Sequence, residues 1–305
     1  MHILITGGAG FIGSHTADAL LARGDSVHIL DDLSTGKRDN IPANASVTQG
    51  DVADDALVAN LAENADAIIH LAAIASVPAC EANWIHAHRT NAFGSVSVLH
   101  AAAKSAKKPR VVYASSAAVY GDNDALPLKE TEILRPISVY GMDKYVSERE
   151  AEIAHARFGV NSVGLRFFNV YGPRQDPKSP YSGVISIFAE AARANRGITF
   201  FGDGSQTRDF IFVGDIVQLI LASLAAPAGT HIANGCTGQS TSLLELAQNL
   251  RNITNTSLPA ACSPARTGDI AHSLGCPAHA KQLLGFSAAT SLKNGLTALL
   301  TTGNL

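Results

Sequence analysis

Short apolar runs ending in Gly, Asp or Ser alternate with Ala-rich stretches of helical period through the first half of the chain. This pattern predicts strands over 2–6, 26–30, 46–49, 66–70, 109–113 and 161–166, and helices over 11–23, 54–63, 83–106 and 140–157. Ala67-Ile68-Ile69 and Val111-Val112-Tyr113 are apolar without alternation, as expected of strands covered on both faces. The βαβ rhythm predicts a parallel sheet. It breaks at Gly172-Pro173-Arg174-Gln175-Asp176-Pro177, a loop by its Gly and Pro content, after which short helices mix with isolated strands. The expected division is a sheet domain over 1–170 and a smaller lobe over 171–305. Phe210-Ile211-Phe212-Val213 and the apolar helix after it, near 210–225, are expected to return to the main sheet. No internal repeat or low-complexity tract interrupts the pattern.

Composition narrows the class without changing this picture. A chain of 305 residues, 46% of them hydrophobic, can bury one full core and a smaller second one. A net charge of -3 provides no general field for polyanions, so nucleic acid is not an expected partner. Cys80, Cys236, Cys262 and Cys276 form no C-x-x-C pair, which points to neither a zinc site nor a disulfide framework. The cytosol suits these thiols. Met1 runs directly into His2-Ile3-Leu4-Ile5 with no signal-peptide pattern, and no apolar run reaches the roughly 18 residues of a membrane span. His86-x-His88 lacks a third ligand at suitable spacing and reads as a helix surface, so no metal is expected.

The first chemical signal lies between strand 2–6 and the helix after it. Gly7, Gly10 and Gly13 stand three apart, around Phe11 and Ile12. Such glycines permit a tight turn, a close approach of backbone to a pyrophosphate and close helix–strand packing, with the helix N-terminus facing the phosphates. The second strand ends at Asp31, 18 residues after Gly13, near the spacing of a ribose-binding acid. A carboxylate there repels a 2′-phosphate, which favours NAD over NADP. No arginine follows in Asp32-Leu33-Ser34. Asp51, before Val52, is open to two readings, an acceptor for the adenine amino group or a helix N-cap. The expected fold class is α/β, a Rossmann-type doubly wound parallel sheet with a smaller C-terminal α/β substrate lobe.

The second signal is Tyr140-Gly141-Met142-Asp143-Lys144, which puts a phenol and an ammonium on one helix face. Alone it is also a common surface pairing. Here it follows a strand ending in Ser115-Ser116, at the sheet edge where open α/β sheets bind ligands. With these motifs the chain resembles the extended short-chain dehydrogenase/reductase family, and within it the UDP-hexose 4-epimerases. The resemblance also runs through Asp31 to Gly36, His70-Leu71-Ala72-Ala73, Ser115 to Gly121, Arg166 to Gly172, Pro180 to Ile185, Phe201 to Asp209 and Arg266-Thr267-Gly268-Asp269.

The resemblance implies NAD as cofactor, held by the glycine turn, Asp31, Asp51, Val52, Leu71, Ala72, Ala73, Tyr140 and Lys144. It implies Ser116, Tyr140 and Lys144 as the catalytic set. Lys144 and a cationic nicotinamide ring would both favour phenolate, so the Tyr140 pKa is expected to fall towards working pH. The implied substrate is a UDP-sugar, inverted at C4 through a transient 4-keto form, with Ser76, Ser116, Asn169, Gly183, Val184, Phe201, Arg208, Arg266, Asp269 and Ser273 around it. A tyrosine at the position of Ser273 restricts such sites to plain hexoses. A serine there, with small Gly183 and Ala75, implies room for a 2-acetamido group and thus for UDP-GlcNAc and UDP-GalNAc as well as UDP-Glc and UDP-Gal. Ala117-Ala118 stand where related dehydratases carry an Asp-Glu pair. A UDP-glucuronate 4-epimerase, another nucleotide-sugar-modifying extended short-chain dehydrogenase/reductase and a non-catalytic NAD-binding sensor are the alternatives. The resemblance also implies a homodimer through helices 83–106 and 140–157.

Overall fold

The computed structural model describes residues 1–176, 183–265 and 270–301. Its main sheet holds seven parallel strands: β1 (His2–Thr6), β2 (Ser26–Asp31), β3 (Ser46–Gln49), β4 (Ala67–His70), β5 (Arg110–Ser116), β6 (Ser162–Phe167) and, from later in the chain, β11 (Thr230–Gly235). Their order across the sheet is β11-β6-β5-β4-β1-β2-β3, so the crossovers run outward in both directions from β1 and β4. That reversal opens a crevice at the carboxyl ends of the strands, the usual ligand position in a doubly wound sheet. The seventh strand corrects the sequence expectation. The segment 210–212 does not join the main sheet but pairs with Asn169–Tyr171 in a separate ribbon, β11 takes the edge beside β6, and the apolar helix after 212 packs on the main sheet.

Alternation within the strands serves two helical layers. Ile3 and Ile5 face α1 (Phe11–Ala22) and α8 (Val213–Ser223) through Ala17, Leu20, Ile216 and Ile220. Leu4, with Ile68 and Val111, faces the opposite layer of α2 (Asp55–Ala62), α5 (Gly94–Lys104) and α6 (Val139–Phe158) through Val58, Val98 and Ala151. Each such side chain contributes about 1.5–3 kcal/mol when fully buried, which fixes the register of the strands on both faces.

The run expected as one helix over 83–106 is helical over 84–104. It contains α4 (Trp84–His88), a π-helical turn over Arg89–Phe93 and α5, and is preceded by α3 (Val77–Ala82). Asn83 separates α3 from α4, in a non-helical conformation with its side chain accepting from His86 N at 3.3 Å.

The second core packs Tyr171, Ile185, Phe188, Phe200, Phe210, Leu246 and Leu296. These come from β7 (Asn169–Tyr171), α7 (Val184–Arg193), β8 (Ile198–Phe201), β10 (Phe210–Phe212), α9 (Leu243–Thr254) and α11 (Leu292–Thr301). Here β9 (Thr207–Arg208) pairs with β12 (Thr241–Ser242), β8 pairs with β13 (Ala260–Ser263), and α10 (Ala278–Leu284) returns to the edge of the main sheet. Among the described residues no helix is long and apolar enough to cross a membrane.

Candidate active site

The chain leaves β1 through Gly7, whose φ of +75° suits glycine alone, and a Cβ on Gly7 would stand 2.5 Å from Ala72 N. A Cβ on Gly13 would stand 2.2 Å from Gly7 O. Leu71 N donates to Thr6 O at 2.9 Å, which holds Leu71-Ala72-Ala73 against the turn. Gly10 begins α1 with no side-chain cap and no acid in the first turn, so the first turn supplies no anion of its own to the positive end of the helix dipole. Phe11 and Ile12 follow as its half-buried first residues.

At the end of β2, Asp31 is fixed by Ala9 N, donating to Oδ2, and Leu33 N, donating to Oδ1, both at 2.9 Å. Each oxygen retains a lone pair for a further donor. Lys37 and Arg38, the cations that follow in the loop, are engaged by Asp176 at 3.3 Å and Gln49 Oε1 at 2.7 Å. Asp51, beside buried Val52, accepts from Ala53 N at 2.8 Å, whereas the cap of α2 is Asp54, which accepts from Leu57 N at 3.0 Å. The N-cap reading of Asp51 is thereby replaced. A cradle that any Cβ would fill, an open helix N-terminus and a fixed carboxylate fit a dinucleotide.

At the carboxyl end of β5 the two serines diverge. Ser115 Oγ donates to Glu148 Oε1 at 2.6 Å inside the core, while Ser116 Oγ accepts from Ala118 N at 3.1 Å and hydrogen-bonds the Tyr140 phenol. Ser138 caps α6, accepting from Gly141 N at 3.1 Å, and so fixes where Tyr140 enters the cleft. Lys144 follows one turn later, only 2% exposed. Burial pushes its ammonium down to about 8, while neighbouring Asp143 acts to hold it up. With protein groups alone the Tyr140 phenol is raised, whereas the expected fall rested on the nicotinamide charge as well as Lys144. Desolvation pushes it up to about 12, the Ser116 hydrogen bond opposes this, and Cys80 and Asp143 push it further up. Burial is the largest cause; the Lys144 ammonium lies over the ring, 5.6 Å from its centroid. Beneath the pair, His70 is driven down to about 3 by burial and by the Lys144 charge. It is a neutral bridge from Thr6 Oγ1 at 2.7 Å to Ser95 Oγ at 3.1 Å.

The remaining sequence-nominated positions come from the second half and the α3 loop. Asn169 opens β7 with its side chain exposed. Gly183 precedes α7, where a Cβ would approach Gln175 Nε2 to 3.3 Å, and Val184 is the first helical residue. Phe201 is partly exposed at the end of β8. Arg208 Nη1 donates to Thr207 O at 2.8 Å and to Ala271 O at 3.4 Å. Ser273 N donates to Thr207 O at 3.1 Å, which brings Ser273 alongside the Arg208 strand. The Ser76 hydroxyl caps α3, accepting from Ala79 N at 3.2 Å. Arg266 and Asp269 lie outside the described residues.

Several residues near the site were not singled out from sequence. Asp209 is fully buried, and its carboxylate accepts from Thr237 N and Oγ1 at 2.8 and 2.6 Å, Gly238 N at 2.9 Å and Gly275 N at 3.3 Å, joining three loops. Asn91 in the π-helical turn accepts from Ile74 N at 2.8 Å and donates to Asp143 Oδ2 at 3.2 Å. A polar residue interrupting the apolar phase of a predicted helix was the available signal. His88, expected on a helix surface, is half-exposed and its ring also reaches buried Asp143, while His86 is exposed.

A model of the NAD-dependent epimerase/dehydratase family matches residues 3–234, which contain the glycine turn, Asp31, Ser116, Tyr140 and Lys144. The chain belongs to the NAD-dependent epimerase/dehydratase family. As a member it is an enzyme with NAD as its cofactor. It is 33% identical to a UDP-glucose 4-epimerase of Mycolicibacterium smegmatis, covering 97% of this chain and 96% of the relative. The fold is similar to the crystal structure of Thermotoga maritima UDP-glucose 4-epimerase with UDP-glucose, with a TM-score of 0.95, 35% identity and coverage of 98% and 97% of the two chains. It is also similar to Methanobrevibacter ruminantium UDP-N-acetylglucosamine 4-epimerase in complex with UDP-N-acetylmuramic acid, with a TM-score of 0.94, 32% identity and coverage of 98% and 96%.

Proposed function

We propose that this epimerase/dehydratase family member inverts C4 of UDP-hexoses, and that it accepts UDP-GlcNAc and UDP-GalNAc as well as UDP-Glc and UDP-Gal. The observation that carries the reading is the grouping of Ser116, Tyr140 and Lys144 at the end of β5, across the sheet from the glycine turn. Gly7, Gly10, Gly13 and Asp31 would hold NAD, which would supply reversible hydride exchange with C4 of the sugar by way of a transient 4-keto form. Gly7, Gly10 and Gly13 admit its pyrophosphate, Asp31 takes a ribose, and Leu71, Ala72 and Ala73 wall the cleft. Tyr140 Oη accepts the proton of the 4-hydroxyl and gives it back, and Ser116 Oγ, bonded to that phenol, orients the sugar oxygen. Lys144 supplies the positive charge that offsets the phenolate.

The turn after Ser116 carries Ala117 and Ala118 and offers no acid or base for loss of water, which supports epimerisation over dehydration. Asn169, Val184, Phe201 and Arg208 are proposed to hold the UDP moiety, together with Arg266 and Asp269, and Ser76 and Ser273 to border the sugar. A homodimer is part of the proposal. In its support, α5 and α6 lie side by side with an open apolar groove between them, lined by Leu99, Ala103, Ile153 and Phe158. Sedimentation at micromolar concentration checks it, and a monomer mass would remove it.

Incubation with UDP-glucose and with UDP-N-acetylglucosamine separately, followed by chromatographic resolution of the C4 epimers, tests the function. The expected result is interconversion in both sugar classes. Release of a dehydrated sugar, or no turnover of either, would overturn it.

A further inference from the structure

Asp143 stands between Tyr140 and Lys144 in α6 and is wholly buried, a costly place for a carboxylate unless its oxygens are paired. Two side chains from the neighbouring helix of the same layer meet it. Asn91 Nδ2 donates to Oδ2 at 3.2 Å, and His88 Nδ1 meets Oδ1. The His88 tautomer follows from its other nitrogen, which receives the indole N–H of Trp84. Indole is only a donor, which favours the tautomer with Nε2 bare and Nδ1 carrying the hydrogen given to Asp143. A directed chain thus runs from Trp84, 61% exposed, through His88 to a carboxylate buried beside Lys144.

We propose that His88 is a positioning residue for the Tyr140–Lys144 pair, acting through the Asp143 carboxylate. The inference rests on the roles proposed above for Tyr140 and Lys144. Because both donors to Asp143 are uncharged, its negative charge is solvated but not cancelled, and it acts on the two groups beside it. That charge helps keep the buried Lys144 protonated, and it opposes ionisation of Tyr140. The other groups facing this cluster are the Cys80 thiol from α3, the Ser116 hydroxyl from β5 and neutral His70 from β4. The thiol is itself tied to Ile74 O at 3.2 Å and to Asn91 Nδ2 at 3.6 Å. The break between α3 and α4 at Asn83 and the π-helical turn at 89–93 let His88 and Asn91 both face α6, in keeping with the frequent placement of such turns at functional sites.

Removing the His88 donor leaves one oxygen of a buried carboxylate unpaired, and such a carboxylate favours its neutral form. Lys144 then loses its counter-charge and gives up its proton at lower pH, while Tyr140 ionises more readily. Both changes move the activity profile towards acid.

Two measurements test this. Side-chain nitrogen NMR of cofactor-free protein, with His88 assigned by the signal missing in His88→Phe, is expected to show Nδ1 protonated and Nε2 bare. The opposite tautomer, or a ring averaging both, overturns the proposal whether or not the enzyme turns over any sugar. For kcat against pH, Asp143→Asn and His88→Phe are each expected to move the profile about one unit towards acid. His88→Gln, which keeps an N–H donor, should restore the wild-type profile, and the double variant should match Asp143→Asn alone. Melting curves and NAD retention report whether each variant is folded. A His88→Phe variant that lowers kcat without moving the profile, or that adds to Asp143→Asn, would reduce His88 to packing. Wild-type protein inactive on every UDP-sugar sinks the proposed function instead, and the tautomer still decides this inference.

Discussion

Lys144 Nζ stands 5.6 Å from the centroid of the Tyr140 ring, one helical turn further along α6. Contact through the ring face favours the ammonium. Burial outweighs it, and pushes the phenol up to about 12 and the ammonium down to about 8 in the chain by itself.

The consequence is spectroscopic. A raised phenol stays protonated as pH rises, so wild type minus Tyr140→Phe should show no tyrosinate absorbance step below about pH 10 in cofactor-free protein. Adding NAD, whose ring is cationic, should bring the step down in pH. A step near neutral pH without cofactor would contradict the assignment. Tyr140→Phe should melt as the wild type does and lose about 100- to 10,000-fold in kcat.

Asp31 joins the glycine turn to the loop after β2 through Ala9 N and Leu33 N. Asp31→Ala should therefore weaken NAD binding, measured by calorimetry, through both the lost ribose acceptor and the loosened turn. Wild type should bind NAD more tightly than NADP, because the fixed carboxylate repels a 2′-phosphate.

Glu148 and Arg166 form a buried two-pronged pair, Nε to Oε1 at 2.9 Å and Nη2 to Oε2 at 2.8 Å, and Arg166 also donates to Tyr120 Oη and Glu130 O. Glu148→Ala strands a guanidinium in the core. It should cost about 3–5 kcal/mol in denaturant unfolding.

Ser273 lies beside the Arg208 strand through its bond to Thr207 O. Ser273→Tyr is expected to abolish turnover of UDP-N-acetylglucosamine while sparing UDP-glucose, since a clash discriminates more sharply than a lost contact. Equal loss on both substrates, in paired progress curves, would show that the position does not border the acetamido group.

Local rules made much of this legible. Six strands of the main sheet and the helices over 11–22, 55–62 and 139–158 follow from hydrophobic period and fall within a few residues of their expected limits. The glycine turn and the Ser-Tyr-Lys spacing could be read because each is a contiguous motif at a strand end. The fate of β11 could not. A six-residue strand after a 62-residue excursion, 168–229, joins whichever edge is open, and both Phe210–Phe212 and Thr230–Gly235 have strand character.

The sequence by itself determined the βαβ layout, the cofactor turn and the pairing of a phenol with an ammonium on one helix face, because each depends on residues within a turn or two of one another. Only the tertiary structure decided the charge balance of that pair. Whether Tyr140 ionises and Lys144 keeps its proton depends on burial and on Asp143, which is held by His88 and Asn91 some fifty residues earlier in the chain. Desolvation is a property of everything packed around a group, and no local pattern carries it.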